Sequence, residues 1–221
     1  MRILTAALFV PASFALSGCL VSTQDLIGAS FSASDSIAGF DSGAMSGTLP
    51  ATGTATYSGF SRIISYSTNN GNVADVFLGT ASLTASVDAS GADLDGTLTD
   101  FAVAEDLPYS DYTDFQNRYS PNNTVAERNA LIDDVAAVSG VATGSIAVTA
   151  SNQTNADNMT ARFSGELDHG GNTTRIGGFG AAGFFGANHE YISAYGDTSS
   201  QLTVSRNGVA RSGSAEFIVG K

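Results

Sequence analysis

Cysteine occurs once, at position 19, tryptophan not at all, lysine once, at position 221, and proline four times in 221 residues. One thiol forms neither an intramolecular disulfide nor a cysteine-based zinc site. Nine basic residues stand against 21 acidic ones, a formal charge of −12. That balance repels phosphate, which argues against nucleic acid and anionic lipid as partners. No apolar run reaches the roughly 20 residues of a spanning helix. What is present is a folded composition, with 43% apolar and 14% charged residues and 25 glycines. Such a chain buries about 70% of its unfolded surface, enough for one sizeable all-β domain.

Residues 1–18 carry one positive charge, Arg2, then an apolar run from Ile3 to Leu16, then small residues, the pattern of a secretory signal peptide. Leu16-Ser17-Gly18-Cys19 resembles the bacterial lipobox. That resemblance implies that the Cys19 thiol receives a diacylglycerol and becomes the new N-terminus, tied to the membrane by its acyl chains. Leu20, Val21 and Ser22 follow, without an aspartate behind the cysteine, which resembles the default for sorting to the outer membrane. Residues 19–52, rich in Ser, Gly, Ala and Thr and free of Lys and Arg, read as a lipid-anchored flexible tether, with room for a short docked strand.

Beyond the tether the period is two. Ala81, Leu83, Ala85 and Val87 alternate with Thr80, Ser82, Thr84 and Ser86; Met159, Ala161, Phe163, Gly165 and Leu167 alternate with Thr160, Arg162, Ser164 and Glu166; and Ile146, Val148 and Ala150 do likewise. Weaker versions span 54–66, 92–103, 177–186, 189–196 and 213–219. Turn signals such as Asn69-Asn70-Gly71 and Asn207-Gly208 separate them. The expected fold is an all-β, eight-stranded antiparallel up-and-down barrel over 53–221, because closure removes two sheet edges. A sandwich is the alternative.

Residues 104–140 exceed any hairpin loop. Within them Thr124-Val125-Ala126-Glu127 is a capping box, followed by Leu131, Val135 and Val138 at helical spacing and by Ser139-Gly140. One helix is expected, lying across a barrel mouth with its apolar stripe inward. Ahead of it Tyr109, Tyr112, Phe115 and Tyr119 interleave with Asp106, Asp111 and Asp114 around Pro108. These four rings are the candidate ligand-binding residues, since tyrosine offers large contact area at low entropic cost. The equal alternative is that they pack the loop onto the barrel.

Three glycine stretches, Gly53-Thr54-Ala55-Thr56-Tyr57-Ser58-Gly59, Gly91-Ala92-Asp93-Leu94-Asp95-Gly96 and Gly183-Phe184-Phe185-Gly186-Ala187-Asn188-His189-Glu190, resemble the eight-stranded barrel of transferrin-binding protein B type surface lipoproteins. In that family a Gly-x-Phe/Tyr-Gly-x-Asn-x-Glu stretch joins the last strands. The resemblance implies a surface or periplasm-facing binding lipoprotein. Two features depart from the family: no room for a preceding handle domain lies between Cys19 and Pro50, and no host-contact motif transfers.

Gly178-Phe179-Gly180-Ala181-Ala182-Gly183 matches the dinucleotide fingerprint by letter, but Phe184-Phe185-Gly186 continue a strand where that motif needs a helix, so no nucleotide is expected. Of two histidines, His169 sits by a glycine turn and reads as a solvated residue, with haem or metal ligation by it or His189 as the minor alternative. Asp88, Asp93 and Asp95 lack EF-hand spacing and fall on a polar strand face. No catalytic constellation, metal site or cofactor motif is expected. The function expected is a non-catalytic, lipid-anchored outer-membrane binding module, capturing a macromolecule or a haem or iron source with the insertion. The alternative is a lipocalin-like carrier of a small apolar ligand.

Overall fold

The protein is described as a computed structural model covering residues 22–28, 50, 52–67, 73–108, 110–111, 123–152 and 159–221. Period-two alternation becomes β1 (Gly53–Ser67), β2 (Val73–Asp88), β3 (Gly91–Pro108), β4 (Ser139–Asn152), β5 (Met159–His169), β6 (Asn172–Phe185), β7 (Tyr191–Asp197), β8 (Leu202–Arg206) and β9 (Val209–Gly220). Each of the first six pairs antiparallel with the next, and β9 returns to β1 through Ser58↔Gly220 to Tyr66↔Ser212. The sheet is therefore a closed barrel with no free edge.

Nine strands make eight staves. The lower half of β6, Thr174–Gly178, pairs with β8, and its upper half, Ala181–Phe185, pairs with β7; β9 pairs with both. The glycines of the fingerprint-like run sit where β6 changes partner. A Cβ at Gly178 (φ +112°) would collide with the Gln201 carbonyl oxygen, and one at Gly180 with that of Tyr195. The run is strand throughout, so its glycines serve close backbone approach.

Inside, Tyr57, Phe77, Phe101, Phe163, Phe184 and Phe217 are at most 1% exposed and pack with Leu83, Leu94, Leu98 and Ile146. Outside, Ser82, Thr84, Ser86, Asp93 and Asp95 face water. An apolar interior with a polar outer wall is the reverse of a membrane-spanning barrel, whose apolar band faces lipid. No described helix is long and apolar enough to cross a membrane.

One sector of the wall is apolar on both faces. Two register shifts mark the β2–β3 ladder, and in the same stretches Asp100 (φ +55°) and Asp106 (φ +50°) hold left-handed conformations. Each shift adds a residue to β3, and the first changes which residues face inward. Below it Leu98 points into the core; above it Phe101 and Val103 do, and Ala102 turns outward. Ala74, Val76 and Leu78 of β2 face the same way and pack with Ile64, Tyr66 and Leu107. This sector needs a cover.

Two helices lie there: α1 (residues 23–28) and α2 (Val125–Ala137). The capping box of α2 is complete, with Thr124 Oγ1 accepting from the Glu127 N–H at 3.3 Å and Glu127 Oε2 accepting from the Thr124 N–H at 2.7 Å. Ile132, Val135 and Ala136 of α2 pack with Leu26 and Ile27 of α1 and with Ala102 on the outer wall. The helix expected across a mouth thus lies against the outside of the barrel. The bulge at Asp100 supplies the outward apolar surface that draws it there. Strand β3 also runs to Pro108, so the excursion between strands is 109–138. Within the expected tether, α1 is docked, with Gln24 Nε2 donating to Asp133 of α2.

Candidate functional site

The insertion leaves and rejoins the barrel at one mouth, where Ala104 pairs with Ser139. That mouth is lined by charge. Asp75 points inward from β2 and is 0% exposed; its carboxylate accepts from Arg206 Nη1 at 2.9 Å and Arg211 Nη1 at 3.0 Å, and from the Asp106 N–H at 3.0 Å. Arg206 also donates to Asp106 Oδ1 (2.7 Å) and Glu105 Oε2 (3.0 Å). Burial alone would lower the Arg206 pKa, but the carboxylates of Asp106, Asp75 and Glu105 outweigh it and hold it above its ordinary value. The guanidinium is a fixed cation in a ring of carboxylates.

Glu105 carries a second set of contacts. Asn172 Nδ2 donates to its Oε2 at 2.9 Å, and His169 Nδ1 lies 3.1 Å from the same oxygen. The other ring nitrogen of His169, Nε2, is 2.9 Å from Thr174 Oγ1, and the ring stands edge-on to Phe77. His169 is 3% exposed, which overturns its reading as a solvated turn residue. As the last residue of β5 it continues the inward series Met159, Ala161, Phe163, Leu167, and so enters the barrel.

Glu105, His169 and Thr174 stand in the order carboxylate, imidazole, hydroxyl. The hydroxyl belongs to a residue that is 0% exposed, and Nδ1 lacks hydrogen-bond geometry to Glu105 despite its closeness. A substrate carbonyl has no path to that oxygen, and the orienting bond of a triad is not aligned. The group therefore ties β3, β5 and β6 together. Glu105 lies far from His169 and Thr174 in sequence, so spacing could not find the group; the parity of His169 in its strand could have placed the ring inside.

Outside this mouth, α2 and the wall leave a groove of about 190 Å³ lined by Val76, Leu78, Ala102, Ala104, Leu107, Val135 and Val138 together with Asp111, Asp134 and Ser139. Val138 is 59% exposed. The candidate rings Tyr109, Tyr112, Phe115 and Tyr119 lie outside the described residues, as does Cys19. Asp111, a described residue between Tyr109 and Tyr112, lines this groove.

At the opposite mouth a cleft of about 410 Å³ is lined by residues that include Pro50, Thr54, Tyr57, Val87, His189 and Lys221. Tyr57 forms part of its wall and donates to the His189 carbonyl oxygen at 3.0 Å, and Lys221 Nζ stands 5.3 Å from the ring centre. Burial, helped by Glu190, pushes the Tyr57 phenol up to about 12. Gly183 to Glu190 joins β6 to β7 here. Gly186 (φ +86°) turns the chain, and Glu190 accepts from the Asn188 N–H and Nδ2 at 3.0 and 2.9 Å, closing the turn over a glycine whose Cβ would strike its carboxylate. Among the described residues no cluster of His, Cys, Asp and Glu has the arrangement of a metal site.

Compared with protein-family models, curated proteins and solved structures, the chain matches none.

Proposed function

We propose that the mature chain is a non-catalytic lipoprotein of the outer membrane, anchored through acyl chains on Cys19, that captures a macromolecule or a haem or iron source on the outside of its barrel, in the manner of the transferrin-binding protein B type lipoproteins. The observation that carries the binding half of this reading is the filled interior. Six inward rings, none more than 1% exposed, occupy the space a carrier would keep for cargo. Recognition then falls to the exterior, where residues 109–138 leave the barrel beside an open apolar groove. A large partner suits this surface better than haem, because His169 is buried inside the barrel with its Nε2 held by Thr174 Oγ1. The carrier alternative rests on the 410 Å³ cleft at the other mouth, walled in part by the Tyr57 ring.

The anchor is tested by Cys19→Ser, which should release the protein to the soluble fraction and abolish incorporation of labelled palmitate; a variant that stays in the membrane pellet would sink it. Capture is tested by purifying the mature chain from native membranes with and without residues 109–138, with mass and absorbance spectra of what accompanies it. A partner held by the full chain and lost with the deletion supports the reading. A small molecule retained by both proteins would replace it with the carrier.

A further inference from the structure

The apolar groove between α2 and the outer wall lies alongside the segment that leads to the anchor. Ala102 and Val135 line the groove, and both belong to the apolar cluster that includes Leu26 and Ile27 of α1. The described chain begins at Ser22, whose hydroxyl and N–H bond the Asp25 carboxylate at 2.6 and 3.1 Å and fix the start of α1. Cys19 is three residues earlier, a span of at most about 10 Å. From Ser22 to Leu26 the chain rises only about 6 Å. An acyl chain reaches across one leaflet of hydrocarbon, about 15 Å. At full extension Cys19 thus lies about 16 Å from Leu26, which clusters with the groove residue Ala102, a distance of about one acyl chain.

We propose that this groove seats one acyl chain of the diacylglyceryl group on Cys19, an assignment that rests on the lipidation put forward above. The lining chemistry selects the occupant. Val76, Leu78, Ala102, Ala104, Leu107, Val135 and Val138 offer hydrocarbon, and the polar residues of the lining are Asp111, Asp134 and Ser139. Two of these are carboxylates. A free fatty acid would bring its own carboxylate against them, whereas a thioether-linked diacylglyceryl group is uncharged. The groove thus favours an esterified chain over a free acid. With the chain seated, the α2 side of the barrel faces the bilayer, and the opposite mouth, with Tyr57 and Lys221, faces away.

The test uses the full-length mature chain carrying Cys19→Ser, whose groove is unfilled, titrated with fluorescent dioctanoylglycerol and, separately, with fluorescent octanoate. Saturable one-to-one binding of the glyceride, at least tenfold weaker binding of octanoate, and at least tenfold weaker glyceride binding after Val138→Glu are expected. Val138 is 59% exposed, so this change adds a charge at the groove without emptying the core. The lipidated chain, with palmitate incorporation verified, should bind no added glyceride. Glyceride binding that ignores Val138→Glu, or that appears only after residues 112–122 are deleted, would overturn the assignment; the latter result would give the groove to the chain's own aromatic segment. Equal binding of octanoate would make it a free fatty-acid site. A dimer of Cys19→Ser that Val138→Glu dissociates would give it to a second copy. Palmitate incorporation with an unfilled groove leaves the anchor standing and removes the groove, whereas absent incorporation removes both.

Discussion

Arg206 of β8 reaches Asp75 of β2, its Nη1 2.9 Å from Oδ1, across 131 residues of sequence and inside the barrel mouth. The pair is 10% and 0% exposed at the side chains, and Arg211 meets the other carboxylate oxygen at 3.0 Å. A carboxylate so buried is held by its two cations, and those cations are held by it. The root of the insertion belongs to the same network, since Asp75 also accepts the Asp106 N–H.

Asp75→Ala should therefore leave two buried guanidinium groups without their shared partner. The loss expected is about 3–5 kcal/mol, or roughly 6–20 °C in melting temperature for a domain of this size. Thermal unfolding followed by circular dichroism measures it. A double-mutant cycle with Arg206→Met should show strong coupling; additive losses would mean the contact does not contribute as drawn.

Replacing 109–138 by a short Asn-Gly turn should leave a cooperative barrel. Ala104 and Ser139 already pair, and the packing of Ile132, Val135 and Ala136 against Leu26, Ile27 and Ala102, which the deletion removes, lies outside the core. A modest fall in melting temperature with native near-ultraviolet dichroism is expected. Collapse of the fold would make the segment part of the core.

The Thr124 cap is a local device. Thr124→Ala removes the acceptor for the Glu127 N–H and should cost about 1 kcal/mol, read as faster hydrogen exchange over 125–137 with little change in the strands. Uniformly faster exchange would tie α2 to the stability of the whole barrel.

Alkaline stability should report on Tyr57. Its folded pKa is about 12, above the ordinary 10.0 of a phenol, so the fold favours the protonated ring. The contribution is complete below pH 10 and is lost as pH rises from about 10 to 12. Tyr57→Phe should flatten the decline over that interval. An unchanged alkaline limb in the variant would place the titrating group elsewhere.

The glycine-rich run of β6 should bind no nucleotide, because its amides are committed to a strand ladder and no helix terminus follows it. Calorimetry with NAD should show no heat of binding. Gly180→Val should instead lower stability, since even a Cβ there meets the backbone of Tyr195 and Gly196; micromolar NAD affinity would contradict the strand assignment.

The barrel was legible in the chain itself. Alternation such as Ala81-Leu83-Ala85-Val87 fixes which face of a strand is buried, and turn dipeptides separate the strands, because both are local properties of backbone and side chain. The capping box at Thr124 is equally local, and α2 starts where it indicates. What only the tertiary structure decided are relations across the sheet. The extra residue at Asp100 reverses the facing of β3 and so moves α2 from the mouth to the outer wall. Strand β8 is too short to show a period, and exists because β6 and β9 each offer it an open half-stave. Asp75 sits among Val73, Ala74, Val76 and Phe77 in a run that looks like plain core, and its partners come from β3, β8 and β9. No local pattern encodes such a meeting; closure of the barrel brings the strand ends to one mouth, where a buried charge must find its counter-ion or not be buried at all.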